Sequence, residues 1–167
     1  MFPVPILCYN GVMALCSNYT GWVVRRGHAG TGAQFLIKMI EYTDSVEEIT
    51  TEMLIGFFEG WKKPHTPQAH LRILQQSDHI VLAIDREKNS VVGFITALTD
   101  EVQSAFIPLV EVLPDYRGQQ IGSELVSRML KKLEGIPAID LTCDPDVQKF
   151  YAQFGMIPSV GMCIRNY

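Results

Sequence analysis

The first 40 residues of this 167-residue chain contain no acidic side chain; all 18 aspartates and glutamates lie from Glu41 onward. Arg25, Arg26 and Lys38 make that leading stretch basic, whereas the remainder carries 11 basic against 18 acidic residues. The acidic remainder argues against DNA or RNA as a partner, because affinity for a phosphate backbone depends on clustered Lys and Arg. The four cysteines, Cys8, Cys16, Cys143 and Cys163, form no CxxC pair and have no histidine at metal-ligand spacing. A bound metal and a disulfide framework are thus both unsupported, and a reducing, cytoplasmic setting is expected. No apolar run approaches the roughly 20 residues that a bilayer-spanning helix needs, so no membrane partner is expected. Internal repeats and low-complexity linkers are lacking too, and only 19% of residues are charged against 47% hydrophobic, the composition of a packed chain. The length suits one domain with a sizeable core.

The acid-free leader is poor in serine and arginine and shows no amphipathic repeat, which fits a transit peptide badly. It also lacks a positive segment ahead of its apolar stretch, which fits a secretory signal badly. We expect residues 1–35 to be an extension of non-native or mispredicted origin and residues 36–167 to be the domain, with Met39 itself a sensible start.

From Phe35 onward helix and strand signals alternate. Residues 35–42 read as a first strand. Val46, Ile49, Met53 and Phe57 then recur at helical spacing behind Asp44 and Ser45, with Gly60 closing that helix. Thr66-Pro67 caps a second helix through Leu74. Strands at 79–84 and 91–98 flank a polar turn, as antiparallel neighbours do. A further strand covers 105–113, in which Pro108 removes a ladder donor and predicts a bulge. Ile121, Leu125, Met129 and Leu133 mark the buried face of the next helix. A strand at 137–142 follows, then a helix capped by Asp144 with Val147, Phe150, Tyr151 and Phe154 on one face, Gly155 as its stop, and a last strand over 156–164. The expected class is α/β, with helices on both faces of a mixed sheet.

The segment 112–122 carries the most chemistry. It runs from an apolar strand through a polar turn with Gly118 into a helix start at Gly122. The first N–H groups of a helix lack intrahelical partners and sit at the positive end of its dipole, so the turn is suited to an anion, and Arg117 adds a positive charge. GxxxxGK followed by Ser or Thr is absent, and Gly118 and Gly122 do not supply GxGxxG, which removes the P-loop and dinucleotide readings. Gly118 as a plain turn glycine and Gly122 as a packing glycine remain the structural alternatives.

The strand Val110-Glu111-Val112-Leu113-Pro114, the turn Tyr116-Arg117-Gly118-Gln119-Gln120-Ile121-Gly122 and the later stretch from Asp144 through Tyr151 to Met156, in this order, resemble the GNAT superfamily of acetyl-CoA-dependent N-acetyltransferases. The resemblance covers about residues 36–164. It implies a splayed sheet of about six strands and an acyltransferase moving the acetyl group of acetyl-CoA, its cosubstrate, to a primary amine by direct attack. Backbone of Val110 and Val112 would meet the pantothenate amides. The pyrophosphate would lie on the amides of Arg117, Gly118, Gln119, Gln120, Ile121, Gly122 and Ser123, and Asp144 would touch the cofactor. Two positions depart from the family pattern: Gln120 stands where the middle glycine is expected, and Asp144 where asparagine is usual.

Tyr151 falls where many members keep a phenol near the thioester sulfur, and its hydroxyl is a suitable proton donor; it could equally be a core aromatic. Glu111, the one charge in an apolar strand, is the base the residues suggest, since burial would raise its pKa usefully. It could instead face solvent or a basic neighbour, with a water chain as base. His65 lies in the loop that shapes the acceptor pocket in such proteins, while His70 and His79 read as helix-surface and strand-end residues. Trp61, Phe57 and Phe58 are candidates to line an apolar acceptor site, although the spacing of the phenylalanines also suits core. Cys143 reads better as a buried structural thiol than as a reactive thiolate. The acceptor implied is a small-molecule or peptide amine and the assembly a monomer or homodimer. A non-catalytic acyl-CoA-binding module and a protein-interaction module on the same fold are the alternatives.

Overall fold

A computed structural model of the chain describes residues 39–166. Five strands, β1 (Ile40–Thr43), β2 (His79–Asp85), β3 (Ser90–Thr99), β4 (Ser104–Val112) and β5 (Ala138–Leu141), form one sheet in sequence order. The first four pair antiparallel and β5 runs parallel to β4. Parallel neighbours require a crossover, and here helix α2 (Ile121–Lys132) supplies it. The leader, its two cysteines and the first four residues of the expected opening strand lie outside the described residues.

Apolar alternation sends the strand side chains into two cores. On one face Ile80, Leu82, Ile84 and Phe94 pack with Leu74 of α1 (Pro67–Gln76). On the other, Val81, Ala83 and Ile95 meet Leu125, Val126 and Met129 of α2 and Tyr151 of α3 (Gln148–Ala152). Burying one such large side chain contributes about 1.5–3 kcal/mol, so these faces hold the helices in place. Gly93 lets α2 lie close to the sheet, since a Cβ there would stand 3.1 Å from Leu125 and 3.2 Å from Ile121. As expected, α1 starts at Thr66, whose hydroxyl accepts the Ala69 N–H (3.2 Å) ahead of Pro67.

Three expectations need correction. The helix over 46–57 does not form; only one 3₁₀ turn at Glu52–Leu54 does. Gly56, Phe58 and Gly60 take left-handed φ values of 94°, 62° and 80°, which a right-handed helix cannot accommodate, while Ile49, Met53 and Phe57 still reach the core. The last strand is absent, so the described sheet has five strands, not six. Val160, Met162 and Ile164 alternate as a strand would, but all are exposed, and Pro158 and Gly161 weaken pairing. His70 is not on the helix surface but fully buried.

His70 packs against Phe94, Phe58 and Phe57, ring centroids 4.3, 4.9 and 5.1 Å away, and neither ring nitrogen has a hydrogen-bond partner among the described residues. Burial, helped by nearby His65, pushes its pKa down to about 4. The fold therefore holds a neutral imidazole, whereas the unfolded chain protonates it below its ordinary value of 6.5. The unfolded state gains the proton first, so stability falls as pH drops from about 6.5 towards 4, by about 2 kcal/mol at pH 5 relative to pH 8. Urea unfolding of wild type and His70→Leu at both pH values checks this. The difference between them should move by that amount in favour of the variant, and a difference that stays constant rules it out.

Candidate active site

Pro108 produces the expected bulge: between the pairs Thr96–Leu109 and Leu98–Phe106, two β4 residues face one of β3. At that point β4 also loses its other neighbour. Its pairing with β5 runs only from Ser104 to Ile107, where Leu141 ends β5. Among the described residues, β3 is the one strand that pairs with Leu109 to Val112, so the sheet parts and one edge of the β4 backbone is available to an extended ligand, with the Val112 carbonyl taken by the Arg117 side chain.

Beyond the parting, β4 leads through a 3₁₀ turn at Pro114–Tyr116 into the start of α2. Glu124 is the first residue whose N–H reaches a carbonyl one turn back, Gln120 O at 3.0 Å. The N–H groups of Ile121, Gly122 and Ser123 precede it and have no acceptor within the helix. Arg117 is held beside them, its Nε donating to Val112 O (2.9 Å), and the Gln119 side-chain amide donates to Asp115 O (3.0 Å). A Cβ on Gly118 would meet nothing within 4 Å, and one on Gly122 only ordinary contacts at 3.7 Å, so packing requires neither glycine, while Gly118 at φ 72° has the left-handed backbone of a turn glycine. Backbone donors, a fixed guanidinium and open space beside Gly118 fit a pyrophosphate.

Gln120 sits at φ 64°, ψ 5° as the residue before α2, and its side chain makes no capping bond. The glycine of the family pattern thus corresponds to a left-handed position, which costs a non-glycine residue about 1–2 kcal/mol. Gln120→Gly should stabilise the fold by about 0.5–1 kcal/mol after the extra entropy of glycine is discounted. Denaturant midpoints decide the matter, and a less stable variant would contradict the strain.

A buried pair anchors this loop, and sequence reasoning missed it. The Tyr116 hydroxyl donates to Asp85 Oδ2 (2.6 Å), while Asp85 Oδ1 accepts the N–H groups of Glu87 (3.0 Å) and Lys88 (3.1 Å). The Tyr116 bond, aided by those N–H groups, holds the Asp85 carboxyl below its ordinary range, and burial together with Asp85 raises the phenol. Lys88 lies 5.3 Å from the centre of the Tyr116 ring. The residue just before Arg117 is thereby tied to the β2–β3 hairpin. An aspartate ending an apolar run was the visible signal, but nothing local points 31 residues ahead.

Glu111 is half-buried on the α1 side of the sheet, opposite Phe94, with its carboxylate oxygens accepting the Phe58 N–H at 3.1 and 3.3 Å. Burial pushes its pKa up, against the opposing pull of that N–H and of Arg117. Tyr151 is buried on the other side, 5.0 Å from the Phe150 ring centroid. The two catalytic candidates thus occupy opposite faces of the sheet. Val110 and Val112 lie on β4 opposite Ile95 and Gly93, and Asp144, expected to cap the last helix, instead precedes a 3₁₀ turn at Pro145–Val147 and makes no side-chain capping bond. His65 is exposed against Phe58 and Trp61, and His79 pairs with Glu101 at 2.7 Å. Phe57 and Phe58 are core. Burial and the neighbouring Asp144 and Asp146 raise the Cys143 thiol, which disfavours a reactive thiolate.

A mixed sheet that parts beside a helix start is an acetyltransferase architecture. Residues 44–156 match the model of the acetyltransferase (GNAT) family, and the chain belongs to that family. It is 31% identical over 103 residues to the uncharacterized N-acetyltransferase ycf52 of Gracilaria tenuistipitata var. liui, covering 59% of this chain and 56% of that relative. The chain thus spans little more than half the length of that curated relative. A crystal structure from Deinococcus radiodurans R1 assigned to an acetyltransferase superposes with a TM-score of 0.73 at 40% identity, covering 75% of this chain and 87% of that one. A GNAT-family acetyltransferase of Streptococcus pneumoniae gives 0.63 at 26% identity, covering 77% and 98%.

Proposed function

We propose that the chain is an N-acetyltransferase that moves the acetyl group of acetyl-CoA to a primary amine. The observation that carries this reading is the β4 edge from Leu109 to Val112, which no other described strand covers, next to the first helix N–H groups of Ile121, Gly122 and Ser123, which have no acceptor within the helix. An extended amide-bearing arm suits the first and a pyrophosphate the second. Acetyl-CoA supplies an activated thioester; the amine nitrogen forms the new bond to the acetyl carbon and the carbon–sulfur bond breaks. Glu111 takes the proton that the amine must lose, its raised pKa suiting it to the task, and Tyr151 gives a proton to the departing sulfur. The catalytic domain spans residues 36–167 in this reading, and residues 1–35 are an extension.

Titration calorimetry with acetyl-CoA and thiol release across an amine panel test the proposal. Binding with release from at least one amine is expected. A folded sample giving no heat overturns both this reading and that of a non-catalytic acyl-CoA-binding module, and heat without release from any amine leaves only the latter.

A further inference from the structure

Alongside the bulge, on the α1 side of the sheet, lies a cavity of about 420 Å³ that is widely open to solvent, a volume within the range of small-molecule sites. Its walls are mostly apolar, from Ile73, Leu98, Phe106, Pro108 and Leu109, and Leu98 and Phe106 remain exposed. Among the described residues of the lining, Arg165 is the one charged side chain. Its Nε is buried and has no hydrogen-bond partner among the described residues, while Nη1 reaches only the neighbouring Ile164 O at 3.3 Å. A guanidinium presented to a mostly apolar cavity whose described walls hold no carboxylate is a site for an anion, and its planar fork suits a carboxylate.

The opposite charge lies outside the lining, two residues along β4 from Leu109. Thr96 faces Leu109 and Phe94 faces Glu111 across the ladder, so the cavity residue Leu109 and Glu111 share a face of β4, roughly 7 Å apart along the strand. We propose that the acceptor is an amine carrying both an apolar body and a carboxylate: the body fills the cavity, Arg165 holds the carboxylate, and the amine is directed to Glu111. This inference rests on the acetyltransferase reading and names the acceptor class for it.

Matched pairs that differ only in the carboxylate, with amine and carboxylate at opposite ends of the apolar body, test it: 4-(aminomethyl)benzoate against benzylamine, and 6-aminohexanoate against pentylamine. Each is titrated calorimetrically into the full chain saturated with coenzyme A, and thiol release from acetyl-CoA is followed on parallel samples. In at least one pair the carboxylated member should bind 10-fold or more tightly than its partner. Arg165→Gln should bring that pair within about 2-fold, and Arg165→Lys should restore part of the preference. Equal binding within both pairs, or a preference that survives Arg165→Gln, overturns the proposal. The transferase reading fails separately: an Arg165-dependent preference without thiol release sinks catalysis and keeps the binding site, whereas release without preference does the reverse.

Discussion

Tyr151→Phe should lower kcat for acetyl transfer by about 100-fold or more while leaving acetyl-CoA binding within about 2-fold of wild type. The size follows from what a positioned proton donor contributes, typically 10²–10⁴ in rate, with the departing thiolate here being the group that needs the proton. The change removes one hydroxyl from a ring that is only 6% exposed and packed on Phe150, so the aromatic contact survives and the fold should hold. Stopped-flow or steady-state thiol release gives kcat, and calorimetry gives binding. A fall in acetyl-CoA affinity with unchanged kcat would reassign Tyr151 to cofactor binding. A fall in stability with neither would make it a core aromatic.

What could be read from the sequence was what short stretches determine. The strand, turn and helix from Val110 to Lys132 depend on neighbours in the chain, as do the Thr66 cap and the bulge at Pro108, and each forms as expected. Misread elements were those decided at long range. The apolar spacing of 46–57 satisfied the core without a helix, because buried side chains need a place to go and not a particular backbone, and the amide of Phe58 is claimed by a carboxylate 53 residues away. His70 looked like a surface residue because its helix is short and polar; only the packing of Phe57, Phe58 and Phe94 around it encloses the ring. The final strand had the right alternation but pairs with nothing among the described residues. Within the site, the anion turn was visible as a motif, whereas its anchor, Tyr116 on Asp85, joins residues that no periodicity connects. Arg165 likewise has meaning only once the sheet brings Leu98, Phe106 and Leu109 together.

Glu111→Gln separates two roles that the geometry gives to one carboxylate. As the partner of the Phe58 N–H it holds a residue at φ 62° in place, and as a half-buried carboxylate it is the base. The glutamine carbonyl still accepts an N–H, so the loop should stay tied and stability should change by under about 1 kcal/mol. Glu111→Ala removes the acceptor and strands a part-buried donor, which should cost about 1–3 kcal/mol more. In the glutamine variant kcat near neutral pH should fall by about 100-fold, with the KM for acetyl-CoA unchanged. The pH profile carries the sharper signature. Wild-type activity needs the ionised carboxylate, so kcat/KM should decline as pH falls through the raised pKa of Glu111, and that decline should be missing from the variant. At high pH the acceptor amine loses its proton in solution, a base is no longer required, and the deficit of the variant should shrink. If kcat and the acid limb both persist in Glu111→Gln while Glu111→Ala unfolds more easily, Glu111 is a loop anchor and the amine proton leaves by another route.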